Sequence, residues 1–403
     1  MSEQMADSRV TGSDFQPKSI VDAVRHTVGT PNGTLGLHEP VFAGNEIAYL
    51  EECIKSTFVS SVGPFVDRLE RMLEEVTGAK RAVAVVNGTA ALHVCFRLAG
   101  VEPGDEVMSP ALTFIATTNA IAYCGANPHF IDSSFVTLGM DPRALAARLE
   151  AVAERTANGV INRETGCRIA AIAPMHTFGH PVELDEIAAI ARDWGIPLVE
   201  DAAESFGSTY KGRPVGSTAR LAALSFNGNK IITTGGGGAI LTNDAELGRR
   251  AKHLTTTAKI PHKWAFIHDE IGFNYRLPNL NAALGCAQLE QVDGFLASKR
   301  RLAAAYERAF ADVPGVRFAR EPDDTTSNYW LNAILLDEDN AGRRDDVLTA
   351  LSDSGFGARP AWTLMHKLPM FAQSPRGDLA AAESIERRLI NLPSSASIQV
   401  SDE

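Results

Sequence analysis

The sequence lacks several features that would place it in a specialised class of protein. Its 403 residues include only five cysteines, an odd number, and no two of them form a Cys-x-x-Cys pair. This usage excludes a disulfide framework and a cysteine-rich zinc site, and it predicts buried thiols in a reducing compartment. No run of 18 apolar residues occurs, so no membrane span is expected. The net charge of −11 argues against binding to nucleic acid or to an anionic membrane, because both require basic surface.

A secretory signal is not predicted either, because residues 1–16 are polar and contain no apolar core. The hydrophobic content of 45% and the charged content of 22% are ordinary for a soluble globular protein. The length is sufficient for two or three domain-sized units. We therefore expect a cytoplasmic protein with neither nucleic acid nor membrane as a partner.

Between residues 81 and 242, short apolar runs alternate with amphipathic stretches. The predicted strands lie at 81–86, 105–109, 128–131, 169–175, 197–200, 222–226 and 238–242. The predicted helices lie at 90–99, 114–124 and 184–194, with three more upstream at 19–28, 44–56 and 66–77. This alternation indicates an α/β protein with a parallel or mixed sheet covered by helices on both faces. In such sheets ligands bind beyond the carboxyl ends of the strands.

The pattern changes after about residue 255 and predicts a smaller α+β domain. Its expected elements are a long helix at 280–310, a strand at 330–335, and helices at 343–354 and 380–390. We predict three parts: an N-terminal extension (1–36), a large domain (37–255) and a small C-terminal domain (256–403).

Lys230 is the most informative residue of the chain. It stands in a polar loop that closes on four glycines, Gly235–Gly238, among apolar and hydroxyl-bearing neighbours. Most lysines are solvated surface charges, but such surroundings favour a reactive amine. A lysine amine can form a Schiff base with the aldehyde of pyridoxal 5′-phosphate (PLP). The glycines do not form a P-loop, because no Gly-Lys-Ser/Thr follows them.

Asp201 supports the same interpretation from a position 29 residues upstream. It follows an apolar strand, and a carboxylate there could cap a helix. Paired with Lys230, it could instead keep the pyridine nitrogen of PLP protonated. Ala203 is small enough for a flat ring to lie against it, and Phe114 could cover the other ring face or belong to the core.

A phosphate site is predicted where the first strand of the alternation meets its helix, at Asn87-Gly88-Thr89-Ala90. Helix N-termini offer free N–H groups and the positive end of a dipole, although Gly-Thr turns also serve as simple caps. Ser225 and Asn227 lie close to Lys230 in sequence, and the serine hydroxyl could also reach the phosphate.

The histidines do not predict a metal site. His176 and His180 have a His-x-x-x-His spacing, but Gly179 and Pro181 argue against a helix there, so the pair need not share a face. We interpret this pair, with His253 and His366, as pocket or surface residues and predict no bound metal.

Together these motifs resemble the nucleotide-sugar aminotransferases, the DegT-type branch of fold type I PLP enzymes, from about Leu37 to Ile398. The matching stretches are Asn87 to Leu92, Pro103 to Val107, Thr113 to Thr117, Glu200 to Gly207, Ser225 to Lys230 and Asn274 to Arg276. The resemblance implies a mixed, mostly parallel sheet sandwiched by helices, with a smaller α+β C-terminal domain.

The resemblance also implies roles for individual residues. Lys230 would carry the cofactor and later move protons, and Asp201 would pair with the pyridine nitrogen. Thr89, Ala90 and Ser225 would hold the phosphate.

The resemblance also bears on Asn274, for assembly, and on Glu204, for the cofactor ring. Asn274 would reach the phosphate of a neighbouring subunit, so a homodimer with shared active sites is expected. Glu204 stands where family members often have glutamine or histidine near the ring hydroxyl.

Within the family, Leu37 to Pro40 and Val59 to Gly63 resemble the bacillosamine and legionaminic acid pathway enzymes. This likeness implies transfer of an amino group from L-glutamate to C4 of a UDP-linked 4-keto-6-deoxy-N-acetylhexosamine, in surface-glycan or nonulosonic acid biosynthesis. A perosamine-type enzyme acting on a GDP- or dTDP-linked keto sugar is the alternative. A sugar dehydratase of this fold would have histidine at position 230, and a non-catalytic regulator would be expected to lose Lys230 or Asp201.

Overall fold

The computed structural model describes residues 15–400; most of the polar N-terminal segment predicted at 1–16 lies outside these residues. Within residues 15–400, no helix is long and apolar enough to cross a membrane. The α-helices of this part of the chain are α1 (Pro17–Val28), α2 (Glu46–Ser56), α3 (Pro64–Thr77), α4 (Gly88–Leu98), α5 (Ile115–Tyr123), α6 (Pro142–Val152), α7 (Leu184–Trp194), α8 (Ala245–Thr255), α9 (Asn279–Leu289), α10 (Val292–Phe310), α11 (Arg344–Asp353) and α12 (Ala380–Arg388).

The strands of the same part are β1 (Arg81–Val85), β2 (Glu106–Pro110), β3 (Asn127–Ile131), β4 (Ala153–Thr156), β5 (Gly159–Asn162), β6 (Ile169–Ile172), β7 (Val199–Asp201), β8 (Thr209–Tyr210), β9 (Arg213–Pro214), β10 (Leu221–Ser225), β11 (Gly238–Thr242), β12 (Lys259–Ile260), β13 (Ile267–His268), β14 (Val316–Phe318), β15 (Thr325–Thr326), β16 (Asn332–Leu336), β17 (Arg359–Pro360) and β18 (Leu389–Leu392).

The main sheet has the strand order β3-β2-β6-β7-β10-β11-β1. Ladders join β3, β2 and β6 and, separately, β7, β10, β11 and β1. Parallel bridges from Ile172 to Leu198 and from Met175 to Asp201 connect the two halves. In these ladders β11 pairs antiparallel with β1 and with β10, and the other pairs are parallel. The predicted mixed, mostly parallel sheet is therefore confirmed.

Both faces of this sheet are buried, because each strand sends alternate side chains to opposite faces. In β10, Ala222 and Leu224 belong to one apolar core, which also contains residues of α3, α7 and α9. Leu221 and Ala223 belong to the other, which contains residues of α4 and α8. Burial on both sides explains why these strands read as continuous apolar runs.

The C-terminal sheet is antiparallel, in the order β14-β16-β18-β17. Its core includes Tyr306 of α10, Ile334 of β16 and Val347 of α11, and α1 adds Ile20 and Val24 to the same core. By contrast, α9 packs against α2 and α3 beside the main sheet. The predicted division into three domains stays a prediction.

The long helix predicted at 280–310 is wrong, because the structure has two helices there. The first, α9, ends at Leu289, and α10 begins at Val292. The side chain of Gln291, between them, donates hydrogen bonds to Glu46 and to the carbonyl of Ala287. The first residues of α10, Val292 and Phe295, still belong to the core that contains α9, whereas later residues such as Tyr306 pack on the C-terminal sheet.

Other differences are local. The helix predicted at 380–390 ends at Arg388, because Leu389 and Ile390 pair with β16 as part of β18. The sequence analysis missed α6, although Asp141 caps it by accepting hydrogen bonds from the N–H groups of Arg143 and Ala144. It also missed the hairpin of β4 and β5.

Candidate active site

The carboxyl ends of β1, β7 and β10 meet at one edge of the main sheet. Gly238 of β11 pairs with both Val85 and Ser225, so the turn after β1 and the loop after β10 lie side by side. A cavity of about 790 Å³ opens at this edge. It is lined by residues from several separated parts of the chain, among them Asn87, Gly88, Thr89, Phe114, Asp201, Ala203, Glu204, Ser225, Asn227 and Lys230.

Lys230 reaches this cavity with its amine close to a buried carboxylate. Its Nζ lies 3.3 Å from Oε1 of Glu204 and 3.7 Å from the centroid of the Trp330 ring. The backbone N–H of Phe178 donates to the other Glu204 oxygen at 2.9 Å. Burial raises the pKa of Glu204 to about 7, although the nearby Lys230 cation opposes this shift. The Glu204 carboxyl can therefore gain or lose a proton near neutral pH.

Asp201 is the last residue of β7 and is buried behind the cavity. Thr117 donates its hydroxyl to Oδ2 at 2.6 Å, and the Ala203 N–H donates to Oδ1 at 3.2 Å. The Thr117 hydroxyl also lies 2.7 Å from that of Thr113. Burial raises the pKa of Asp201, whereas these two donors and Lys230 lower it. The carboxylate is thus held in one orientation.

The turn after β1 forms a cradle that a larger residue would fill. A Cβ on Gly88 would lie 2.8 Å from the Ser225 Cβ, so only glycine lets these two elements approach closely. Thr89 lines the cavity beside them. Ala90, in contrast, is buried and does not line the cavity, and its N–H donates to the Asn87 side chain at 2.8 Å.

Phe114 lines the cavity, whereas Asn274 does not. The ring of Phe114 is 46% exposed where it lines the cavity, so the alternative that it belongs to the core is wrong. Asn274 is exposed, pairs with Thr256 beyond the end of α8, and does not line this chain's cavity.

The donor set of the cavity fits PLP. It combines an amine, a buried carboxylate positioned for a ring nitrogen, and a helix N-terminus with two hydroxyls for a phosphate. The cradle at Gly88 leaves room for backbone contact with such a phosphate.

Several residues of the cavity were missed by the sequence analysis. His38 comes from the segment before α2, and Trp330, Arg359 and Trp362 come from the C-terminal part of the chain. Of these, only His38 lies in a motif that the sequence analysis used, Leu37 to Pro40, and there it served as a mark of the subgroup.

The prediction that the four histidines are pocket or surface residues is wrong for two of them. His176 and His180 are fully buried and do not line the cavity. His176 lies 3.2 Å from Glu200 in the core, and burial lowers the pKa of His180 to about 4. His253 and His366 are partly exposed, near Asp269 and Glu383 respectively.

One group of possible metal ligands occurs within residues 15–400, formed by His253, Asp269 and Glu270. Arg250 donates hydrogen bonds to both carboxylate oxygens of Glu270, and His253 lies 2.7 Å from Asp269. These ion pairs account for the arrangement without a metal.

Comparisons with known proteins agree with this geometry. The family model described as the DegT/DnrJ/EryC1/StrS aminotransferase family matches residues 40–402. The GDP-perosamine synthase of Caulobacter vibrioides is 38% identical, over 90% of this chain and 94% of that protein. The putative pyridoxal phosphate-dependent aminotransferase EpsN of Bacillus subtilis is 37% identical, over 90% and 91%. The crystal structure of the aminotransferase TlmJ from Streptoalloteichus hindustanus superposes with a TM-score of 0.82, at 29% identity over 91% and 95% of the two chains.

Proposed function

Because this chain belongs to the DegT/DnrJ/EryC1/StrS aminotransferase family, we propose that it transfers an amino group from L-glutamate to C4 of a nucleotide-linked 4-keto-6-deoxyhexose. The protein is a PLP-dependent sugar aminotransferase. When bound, PLP supplies an aldehyde that accepts the amine and a ring that acts as an electron sink.

The proximity of Lys230 to the carboxylates of Asp201 and Glu204 in one cavity is the observation that carries this proposal. Lys230, once free as an amine, would move a proton between Cα of the amino acid and C4′ of the cofactor, and in the second half-reaction between C4′ and C4 of the sugar. Asp201 would keep a proton on the pyridine nitrogen. Thr89 and Ser225 would hold the phosphate, and Ala203 and Phe114 would lie against the ring.

Arg359 is the candidate for an anionic group of either substrate. It lines the cavity, and no carboxylate of residues 15–400 lies within ion-pair distance of its guanidinium. An unpaired guanidinium matches the carboxylate of glutamate or a nucleoside diphosphate.

For the sugar substrate, we favour a UDP-linked 4-keto-6-deoxy-N-acetylhexosamine in surface-glycan or nonulosonic acid biosynthesis. Support comes from the subgroup motif at Leu37 to Pro40. A GDP-linked sugar is the second candidate, because three relatives, at 38%, 36% and 34% identity, are named GDP-perosamine synthase. A relative at 37% identity is named without any nucleotide, so identity at this level indicates the reaction class more strongly than the nucleotide.

We also propose a homodimer with shared active sites. Asn274 is exposed outside its own cavity, where a neighbouring subunit could present a phosphate to it. Near it, Trp264, Phe266 and Ile271 are 75%, 81% and 88% exposed, an unusually apolar surface for a monomer. Sedimentation equilibrium of the wild-type protein and of Trp264→Ser tests this assembly, and a monomeric wild type would contradict it.

Absorbance spectroscopy tests the function directly. We expect a band of the lysine-bound cofactor in the protein with PLP, its loss on adding L-glutamate, and its return only with an accepted keto sugar. UDP-, GDP- and dTDP-linked 4-keto-6-deoxy sugars are then compared. Return of the band with the GDP sugar alone would replace the UDP assignment, and failure with all three would contradict the function. Lys230→Ala should give no band.

A further inference from the structure

His38 lies on a short segment that closes one side of the cavity. Leu35 exchanges backbone hydrogen bonds with Gly355 and Gly357 at 2.8 and 2.7 Å. The carbonyl of Leu37 accepts from the N–H of Ser394 at 2.7 Å. On the other side of His38, the N–H of Glu39 donates to the Ser395 hydroxyl at 2.8 Å. This segment, residues 35–39, is therefore fixed to the C-terminal part of the chain on both sides of His38, and the imidazole has a defined position in the cavity wall.

The two ring nitrogens of His38 are buried, and neither has a hydrogen-bond partner among residues 15–400. Buried polar atoms of native proteins almost always have a partner. His38 nevertheless lines the cavity that receives the substrates. The orphaned nitrogens indicate a group whose partner is a ligand.

The surroundings keep this imidazole uncharged. Burial, together with the cations Lys299 and Lys230, holds the pKa of His38 well below its usual range. Lys299 is itself fully buried, and its amine donates to the carbonyls of Trp330 and Ser394. A neutral imidazole offers one donor and one acceptor, which suits an uncharged polar group.

We propose that His38 is a specificity-determining residue that hydrogen-bonds an uncharged substituent, a hydroxyl or an acetamido group, on the hexose ring of the keto sugar. This inference rests on the proposed function. Arg359 and His38 would then bind different groups of the substrates. Arg359 offers a permanent charge for anions, whereas His38 offers a neutral donor and acceptor. Cyclic sugars carry such uncharged groups on adjacent carbons, whereas the carboxylates of glutamate do not need them.

The two half-reactions separate this role from a structural one. In His38→Ala, we expect KM for the keto sugar to rise at least tenfold, with the rate of the glutamate half-reaction within twofold of wild type. His38→Gln should restore part of the affinity, because an amide keeps a donor and an acceptor. His366→Ala, which removes a histidine outside the cavity, is the matched control and should leave both half-reactions unchanged.

Binding measured by calorimetry gives a readout independent of turnover. The probes are the aminated nucleotide sugar made by the wild type and the corresponding free nucleoside diphosphate. His38→Ala should weaken the first about tenfold and leave the second unchanged. Three results would overturn the role of His38. They are an equal loss of affinity for both probes, an unchanged KM for the keto sugar, and an equal fall in the rate of the glutamate half-reaction. If the wild type converts no keto sugar, the proposed function fails instead, which is a distinguishable result.

Discussion

The amine of Lys230 lies over the ring of Trp330, 3.7 Å from its centroid. Lys230 belongs to the loop after β10 of the main sheet, whereas Trp330 precedes β16 of the C-terminal sheet. The indole N–H also donates to the carbonyl of Asn229, next to the lysine. Trp330, which precedes the C-terminal sheet, thus aims the reactive amine of Lys230.

Replacing Trp330 tests this aiming. A cation over an indole ring is stabilised by about 0.5–2 kcal/mol, depending on desolvation. We expect Trp330→Leu to slow the glutamate half-reaction about tenfold, because Lys230 loses its platform, and Trp330→Phe to retain most of the rate. Stopped-flow absorbance measures both. Equal rates in the two variants would argue that the aromatic ring has no such role.

Glu204 predicts an unusual dependence of stability on pH. Its pKa is raised from 4.5 to about 7 in the folded protein, so the folded state holds a proton that the unfolded state has lost between these values. The contribution of Glu204 to the free energy of unfolding is therefore fully present below pH 4.5 and is lost as the pH rises through 7. Above pH 7, we expect cofactor-free Glu204→Gln to melt at a higher temperature than the cofactor-free wild type. The difference between the two melting temperatures should become smaller towards pH 5. Melting curves across this range measure the difference, and a gap that does not vary with pH would contradict the raised pKa.

Thr117 is expected to hold Asp201 in position. Hydrogen bonds to charged groups contribute about 1.5–3 kcal/mol, so Thr117→Val should slow the glutamate half-reaction by roughly ten- to a hundredfold. Thr117→Ser should recover most of this loss, since it keeps the hydroxyl. The control is Thr118→Val in the same helix, where the lost hydroxyl bonds only to Ile115 and Met365. If Thr118→Val slows the reaction as much as Thr117→Val, the loss reflects damage to α5 and not to Asp201.

The sequence was most informative for site residues whose position depends on one strand and the turn that follows it. Asp201 ends a strand, and Gly88 and Lys230 follow the ends of two others; the order of strands in a parallel sheet brings such ends together. Their convergence could be predicted without knowledge of the side-chain contacts. The sheet itself was predictable because strands buried on both faces are continuously apolar.

The remainder of the site depends on contacts between distant parts of the chain. His38 and Trp330 are 292 residues apart in a chain of 403, and the backbone pairing of Leu37 with Ser394 helps to bring them to one cavity. No local pattern encodes that pairing. The predicted phosphate contact of Ala90 depends similarly on a detail of the fold, because its N–H is already bonded to Asn87.

Gly88 provides the sharpest test of the phosphate cradle. A Cβ at this position would lie 2.8 Å from the Ser225 Cβ and 3.1 Å from its hydroxyl oxygen, so Gly88→Ala must push Ser225 away from β1. We expect the Kd for PLP, measured by fluorescence or dialysis, to rise at least tenfold, since the hydroxyl and the helix N-terminus would no longer face the same point. Gly294→Ala is the matched control, because a Cβ there meets no atom within 4 Å and a helix interior favours alanine. Unchanged PLP affinity in Gly88→Ala would mean that the phosphate binds elsewhere in the cavity, and Thr89 and Ser225 would then lose their proposed role.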